Sequence, residues 1–274
     1  MSLDSLYPYA GDHAIQNAVF AVEFDSSLSQ SQLKDVQKAA SKAFGHELSD
    51  IQNQQLMTIN FGNFGPGNQQ VKAAPQPGGF LMQRPAGFGG GSTRTLTVNP
   101  DSCIVIVKDY TRWESIKADI DRYLDVVLVA VNKTSTPVKA IGLQYTDIFN
   151  WKADPQELVM AEAFEVGNPY VVPNVLAANG PMLWHSHHGY FLDRTEPLAY
   201  RQLDNINVSR IEAAGGHSIQ VLTSHRAELA KPLWKIGKEH RHFISEIQES
   251  LHGANKEILR SLFSKELRDK IKLD

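Results

Sequence analysis

The sequence predicts an α+β fold, with mixed or antiparallel sheets each covered on one side by amphipathic helices and the chain arranged as two packed halves. Several segments alternate apolar and polar residues, as half-buried strands do, and others repeat apolar residues every three or four positions, as helices do. Hairpin signals occur without repeated β-α-β crossovers. A hydrophobic fraction of 42% and a charged fraction of 21% are ordinary for a globular protein, which excludes wholesale disorder and fibrous repeats.

The N-terminal half, residues 1–150, opens with a strand and a helix. Alternation over 14–25 predicts the strand, and helical spacing predicts a helix that Ser29 or Ser31 caps. A second strand is predicted over 54–61, and we expect it to pair with the first one. The apolar residues of the first strand are Ala18, Phe20, Val22 and Phe24, and those of the helix are Leu33, Val36, Ala40 and Phe44.

The segment 62–93 is dense in glycine and proline and poor in charge, so the sequence predicts its longest loop there. A hairpin is predicted around Asn99-Pro100-Asp101, because proline and aspartate favour the turn and β-branched residues flank it. Beyond it, apolar residues at helical spacing over 113–131 predict a helix, and alternation over 138–149 predicts a further strand.

The C-terminal half, residues 151–274, is predicted to contain long antiparallel strands over 181–192, 200–212 and 217–224. A helix over about 238–263 follows and carries one apolar stripe, which must be buried against a sheet or against a partner. Long amphipathic helices and sheet edges are common association surfaces, so we expect self-association as a homodimer. The stripe comprises Phe243, Ile247, Leu251, Ala254, Ile258 and Leu262.

Charge and composition restrict the partners that the protein is expected to bind. A net charge of −3 and a pI near 6.4 lack the basic excess of proteins that neutralise many phosphates, so nucleic acid is not favoured. Cys103 is the single cysteine and lies in an apolar run, where it is interpreted as a small buried hydrophobe. No stretch approaches the ~18 consecutive apolar residues of a membrane helix. We expect a cytoplasmic protein with a protein partner, no membrane contact and no cofactor.

Apolar and aromatic framework motifs are spread over the chain. They comprise the strand 18–24, the stretch from Thr95 through Tyr110 and Trp113, the strand 141–145, and the segments 251–252 and 263–268. With these motifs the chain resembles a sporadically distributed bacterial family of uncharacterised proteins of about this length. The resemblance implies a common fold and carries no catalytic residue over to this chain. Sporadic occurrence in that family implies an association with bacterial defence or host conflict.

A histidine-rich strand gives the first candidate site. His185 and His187 are two residues apart, which places both imidazoles on one face of a strand, as two ligands of one metal ion require. A third ligand would be Asp193, His217 or His225. The alternative is that the histidines decorate an exposed strand. A divalent metal, serving a metal-dependent hydrolase or nuclease, is therefore the alternative to a protein without cofactors.

Acidic residues crowd the middle of the chain, and nucleases hold metals with carboxylates. Several of them lie on the polar side of the predicted helix over 113–131, which favours a solvated surface over a metal site. No nucleophile elbow, cysteine–histidine pairing or phosphate-binding loop of familiar spacing is present. The acidic residues are Asp109, Asp119, Asp121, Asp125 and Asp147.

Aromatic residues give a further set of candidates. Tyr110, Trp113 and Phe88 are candidate ligand-binding residues, with packing anchors as the alternative. A groove roofed by the glycine-rich loop would be lined by Phe61, Phe64 or Phe88. The sequence thus predicts first a non-catalytic binding or interaction protein. The metal-dependent hydrolase and a small-ligand or peptide groove are its alternatives.

Overall fold

A computed structural model describes residues 3–59, 73–85, 91–177, 180–213, 216–234 and 237–274. Within these ranges the chain forms a ten-stranded antiparallel sheet and six α-helices, which confirms the α+β class. The strands are β1 (Leu6–Pro8), β2 (Ile15–Phe24), β3 (Asp50–Ile59), β4 (Ala73–Pro85), β5 (Ser92–Asn99), β6 (Ser102–Val107), β7 (Val138–Trp151), β8 (Trp184–Arg194), β9 (Tyr200–Ala213) and β10 (Gly216–Leu233). The helices are α1 (Gln30–Phe44), α2 (Trp113–Asn132), α3 (Met160–Ala163), α4 (Pro173–Leu176), α5 (Lys238–Leu262) and α6 (Lys265–Lys270).

The strand order is β3-β4-β5-β6-β2-β7-β10-β9-β8, and β1 pairs with β7 on the side that β2 occupies. The expectation of several sheets was wrong for the described residues, which form one. The expectation that β3 pairs with β2 was also wrong, because α1 carries the chain to the edge of the sheet. Three successive antiparallel connections then bring it back, so that β6 takes the place beside β2.

Strand β4 corrects the prediction of a loop over 62–93. The strand tolerates Pro75 and Pro77 because β5 pairs with it only from Phe80 onward, so both prolines have one neighbouring strand instead of two. The register leaves Gly78 without a partner between Pro77 and Gly79, which marks a β-bulge, and the adjacent Gly79 has a φ of +111°. Two parts of the predicted loop, 62–72 and 86–90, lie outside the described residues.

The other predicted elements form, most of them with small changes of boundary, but β10 was predicted over 217–224 and extends to Leu233. Ser29 caps α1, because its hydroxyl oxygen accepts a hydrogen bond from the backbone nitrogen of Gln32 and the Gln32 side chain accepts one from Ser29. The hairpin of β5 and β6, helix α2 and strands β7 to β10 all form. Cys103 is buried, and burial raises the pKa of its thiol to about 12.

Two apolar cores lie along the sheet. The larger core joins α1, α2 and the first part of α5 to β2 and to β4–β7, and the smaller core joins the N-terminal residues, α3, α4, α6 and the end of α5 to β7–β10. On β7 the two cores meet: Tyr145 belongs to the larger one and Phe149 to the smaller one. Asp147 lies between them on the same strand face, buried and belonging to neither.

Helix α5 spans both cores, and four of the six residues of its predicted apolar stripe are buried within this chain, while Phe243 and Ala254 are half-buried. Ile247 and Leu251 belong to the larger core, and Ile258 and Leu262 belong to the smaller one. The stripe that motivated the homodimer is therefore partnered by the sheet, and self-association stays a prediction. Among the described residues no helix is both long and apolar enough to cross a membrane.

The suggested division near residue 150 falls inside β7, which ends at Trp151. This strand pairs with β2 on one side and with β10 on the other, so hydrogen bonds across it join residues before and after the division. The two halves stay a prediction, and the sheet runs through both of them.

Candidate functional site

A cavity of about 190 Å³ opens between the two cores, beneath α5. The sheet contributes Tyr145 and Asp147 to its wall, and α5 contributes His252 and Asn255. Polar groups therefore line a cavity that has an apolar core on each side. The remaining residues of the wall are His13, Ala14, Ile15, Tyr110, Arg112, Trp113, Glu114, Lys256, Leu259, Ile271, Lys272 and Leu273.

Asp147 is the most unusual group of this wall. Its side chain lies on β7 with only 2% of the residue exposed, and its Oδ2 atom is buried without a hydrogen-bond partner among the described residues. Burial alone raises the pKa of this carboxyl to about 7 from its ordinary 3.8, and no neighbouring charge contributes. A strongly perturbed titratable group in a cleft is a signature of functional sites.

His252 forms the opposite part of the wall. Its ring stacks on Trp113 with centroids 4.0 Å apart and planes 7° apart, and its Nδ1 atom lies 2.9 Å from the hydroxyl of Tyr145. Burial, reinforced by the nearby charge of Lys256, lowers the pKa of His252 to about 4, so the imidazole is neutral near pH 7. Its Nε2 atom makes no hydrogen bond within the described part of the chain.

The two tyrosines of the wall are kept neutral. Burial raises the pKa of Tyr145 well above its ordinary value, and the adjacent Tyr110 adds to the effect. The pKa of Tyr110 is also raised, first by burial and then by the charge of Asp147. Both hydroxyls are therefore hydrogen-bonding groups and not anions at any ordinary pH.

A buried hydrogen-bond network stands behind Asn255. Its Oδ1 atom accepts from the hydroxyl of Thr223 at 2.6 Å and lies 3.2 Å from Nε2 of His225. The other ring nitrogen, Nδ1 of His225, lies 2.6 Å from Asp204, which also accepts two hydrogen bonds of 2.8 Å from Gln202. The network fixes the amide of Asn255 at the cavity wall.

Two of the three aromatic residues that the sequence indicated for ligand binding reach this cavity. Tyr110 and Trp113 line it, and the Trp113 ring stacks on both Phe20 and His252. The indole nitrogen of Trp113 donates to Glu249 at 2.6 Å, which helps to hold the ring on which His252 stacks. Phe88, Phe61 and Phe64 lie outside the described residues.

The structure does not bring the predicted metal ligands together. His185, His187 and Asp193 all lie on the edge strand β8 and are exposed, Asp193 by 79% at its side chain. Six residues separate His187 from Asp193, which is about 20 Å along a strand, and Asp193 pairs with Arg201. His217 and His225 are buried and lie on β10. No group of three potential ligands converges within the described residues.

Four of the five acidic residues of the middle region pair with basic side chains. Asp109 and Asp119 both pair with Arg94, Asp121 pairs with Lys117, and Asp125 pairs with Arg241. These pairs agree with the expected surface role. Only Asp147 of the five lies buried without a basic partner among the described residues.

A scan of the chain against protein-family models gives no match, and a comparison with curated proteins gives none either. The resemblance to the bacterial family therefore stays an expectation. The case for a function depends on the cavity itself.

Proposed function

We propose that the protein is a non-catalytic binding protein whose cavity beneath α5 takes a small molecule with a protonated amine. The observation that carries this proposal is the buried Asp147 carboxyl: Asp147 lines the cavity, and its Oδ2 atom has no hydrogen-bond partner among the described residues. A buried acceptor without a partner is costly, and a ligand that donates to it removes that cost.

An ammonium group suits this carboxyl better than a neutral donor does. A charge-assisted hydrogen bond is about twice as strong as a neutral one. The neutral His252 and the two neutral tyrosines add hydrogen-bonding groups without repelling a cation. At about 190 Å³ the cavity is smaller than the usual drug-sized pocket, so we expect a ligand of few heavy atoms.

Charged residues of the cavity wall restrict which chemical group the other end of the ligand can carry. Arg112 and Lys272 share the carboxylate of Asp12, whereas Lys256 makes no ion pair within the described ranges. An acidic group at the far end of the ligand would therefore find a cation at Lys256. A zwitterion with its amine at Asp147 fits this distribution of charge.

Binding is expected to depend on pH through Asp147. The carboxyl has a pKa of about 7 in the free protein, so below that pH the protein must lose a proton before it pairs with an ammonium group. Affinity should be constant above about pH 7.5 and should fall towards tenfold per pH unit below about pH 6.5. Calorimetric titrations with butylamine and with 4-aminobutyrate between pH 5 and 9 would measure this profile.

The matched variants are Asp147→Asn and Asp193→Asn. The first removes the charge within the cavity, and the second removes an exposed carboxylate on β8. We expect Asp147→Asn to weaken butylamine binding roughly ten- to hundredfold and to abolish the pH profile, with Asp193→Asn unchanged. Butanol is the uncharged control, and its affinity for the wild-type protein should not exceed its affinity for Asp147→Asn. Equal affinity of butylamine for both variants would refute the proposal.

A further inference from the structure

Arg210 lies on β9 and is buried to an unusual degree for an arginine, with 6% of the residue exposed. It lines a second cavity of about 270 Å³, separate from the cavity beneath α5. Residues in or beside α3 and α4 form the rest of the wall, with side chains that include Leu158, Met160, Val175, Pro181 and Met182.

The guanidinium group lacks a counter-charge. Nη2 donates to the backbone carbonyl of Pro155, and Nε is buried without any partner. Burial lowers the pKa of Arg210, and no acidic neighbour opposes that effect. On the same strand Glu212 lies two residues away, but it is exposed and forms no ion pair with Arg210 in the described structure.

The missing counter-charge cannot come from the residues that the structure does not describe. None of those residues, over 1–2, 60–72, 86–90, 178–179, 214–215 and 235–236, is an aspartate or a glutamate. A buried charge without a partner carries a large desolvation penalty, which a carboxylate normally offsets. No carboxylate of the described residues supplies this offset, so an anion bound from outside the chain would supply it.

From these contacts we infer that the cavity at Arg210 is a binding site for a small oxyanion, a carboxylate or a phosphate ester. The guanidinium fork matches the two oxygens of such a group, and its buried Nε–H lacks a hydrogen-bond partner among the described residues. A second buried donor lies nearby, because Trp184 is the cross-strand partner of Arg210 and its Nε1 atom also lacks a hydrogen bond within the described residues. The aliphatic side chains of the wall would contact a short carbon chain on the anion.

The first test uses the wild-type protein and three probes of similar size: butyrate, butyl phosphate and butylamine. Titration calorimetry at pH 8 should show saturable binding of at least one of the two anions. The better anion assigns the class of ligand. Butylamine is the probe for the first cavity. To separate the two cavities, each anion titration is repeated on Asp147→Asn, where anion binding should be unchanged. Absence of binding by both anions would overturn the inference and would leave the proposal for Asp147 unaffected.

The second test locates the site with variants. Arg210→Met keeps most of the side-chain volume and removes the charge, so it should weaken binding of the better anion roughly ten- to hundredfold. It should also raise the melting temperature of the unliganded protein, because it removes a buried charge that lacks a counter-charge. An arginine with a structural role would instead lower the melting temperature when it is replaced. Arg201→Gln is the matched control, since Arg201 lies on the same strand with its side chain 62% exposed. Anion binding that is unchanged in Arg210→Met, or a fall in its melting temperature without the ligand, would contradict the inference.

Two further variants test the space in the cavity and the nearest acidic side chain. Ala177→Phe narrows the cavity and leaves Arg210 intact, so it should abolish anion binding without removing the charge. Glu212→Gln removes the acidic residue closest to Arg210 along the strand and should leave both stability and binding unchanged. A melting temperature that falls in Glu212→Gln would identify Glu212 as the internal counter-charge and would overturn the inference.

Discussion

At the scale of single residues, a few buried polar groups without partners lower the stability of the folded protein. Asp147 is held at a pKa of about 7 by burial alone, with an unpartnered Oδ2 atom. A displacement from 3.8 to about 7, at 1.36 kcal/mol per pH unit, corresponds to about 4 kcal/mol of unfavourable free energy once the carboxyl is ionised. That cost is large beside a typical stability of about 5–15 kcal/mol. A ligand that binds the carboxylate would recover part of it.

Asp147→Asn should therefore stabilise the unliganded protein at alkaline pH. A carboxyl whose pKa is higher in the folded state binds more protons when folded, so its contribution to stability falls as the pH rises from about 4 to about 7. The variant should match the wild type below about pH 4 and exceed it by a few kcal/mol at pH 8. Urea unfolding at several pH values measures the difference. A variant that is less stable than the wild type at pH 8 would show that Asp147 has a structural role.

Gln248 offers a second prediction at this scale. The residue is fully buried on α5, and neither its Nε2 nor its Oε1 atom has a partner among the described residues. Each unsatisfied buried group costs about 1–3 kcal/mol. Gln248→Met, which keeps the volume, should therefore raise the free energy of unfolding by about 1–3 kcal/mol in urea. A loss of stability would mean that an ordered water already satisfies the amide.

At the scale of elements, α5 decides where the cavity lies. Its apolar stripe could be predicted from the sequence, because Ile247, Leu251, Ile258 and Leu262 follow helical spacing. The polar residues that α5 contributes to the cavity, His252 and Asn255, fall three positions apart beside that stripe, and the buried Gln248 lies one turn before them. This polar row was available in the sequence. Helical spacing alone does not distinguish a polar row that faces the sheet from one that faces solvent.

Gly253 lies within α5 next to His252, and a Cβ atom there would meet nothing within 4 Å. Glycine in a helix interior costs about 0.5–1 kcal/mol relative to alanine, so Gly253→Ala should raise the free energy of unfolding by that amount. Gly79→Ala is the contrasting variant. Its Cβ would lie 2.0 Å from the carbonyl oxygen of Val98, at a φ of +111°, and the substitution should destabilise the protein. Thermal unfolding of both variants checks the pair, and an equal sign for the two would contradict the geometry.

At the scale of the whole molecule, local patterns predicted most elements, but the order of strands depends on contacts far apart in the chain. Alternation identified β2, β7, β9 and β10 because each has one face in a core. The place of β3 at the edge could not be read from the sequence, because one helix can bridge to a near or a distant strand. The burial of Asp147 also depends on a contact far away in the chain, so the sequence pattern groups it with four surface carboxylates. Asp147 is buried beneath α5, which begins at Lys238, far along the chain.

Contacts across residue 150 lead us to expect one cooperative unfolding transition. Strand β7 pairs with β2 and β10, and the smaller core combines Leu3 and Leu6 from the start of the chain with α6 at its end. The backbone nitrogen of Leu3 also donates to Glu266 at 3.2 Å. A fragment of residues 1–150 would lose β10 from one side of its central strand and would expose Phe149 and Leu6, so it should not fold alone. Calorimetry of the full chain should give one transition whose calorimetric and van't Hoff enthalpies agree, whereas two resolved transitions would establish residue 150 as a true boundary.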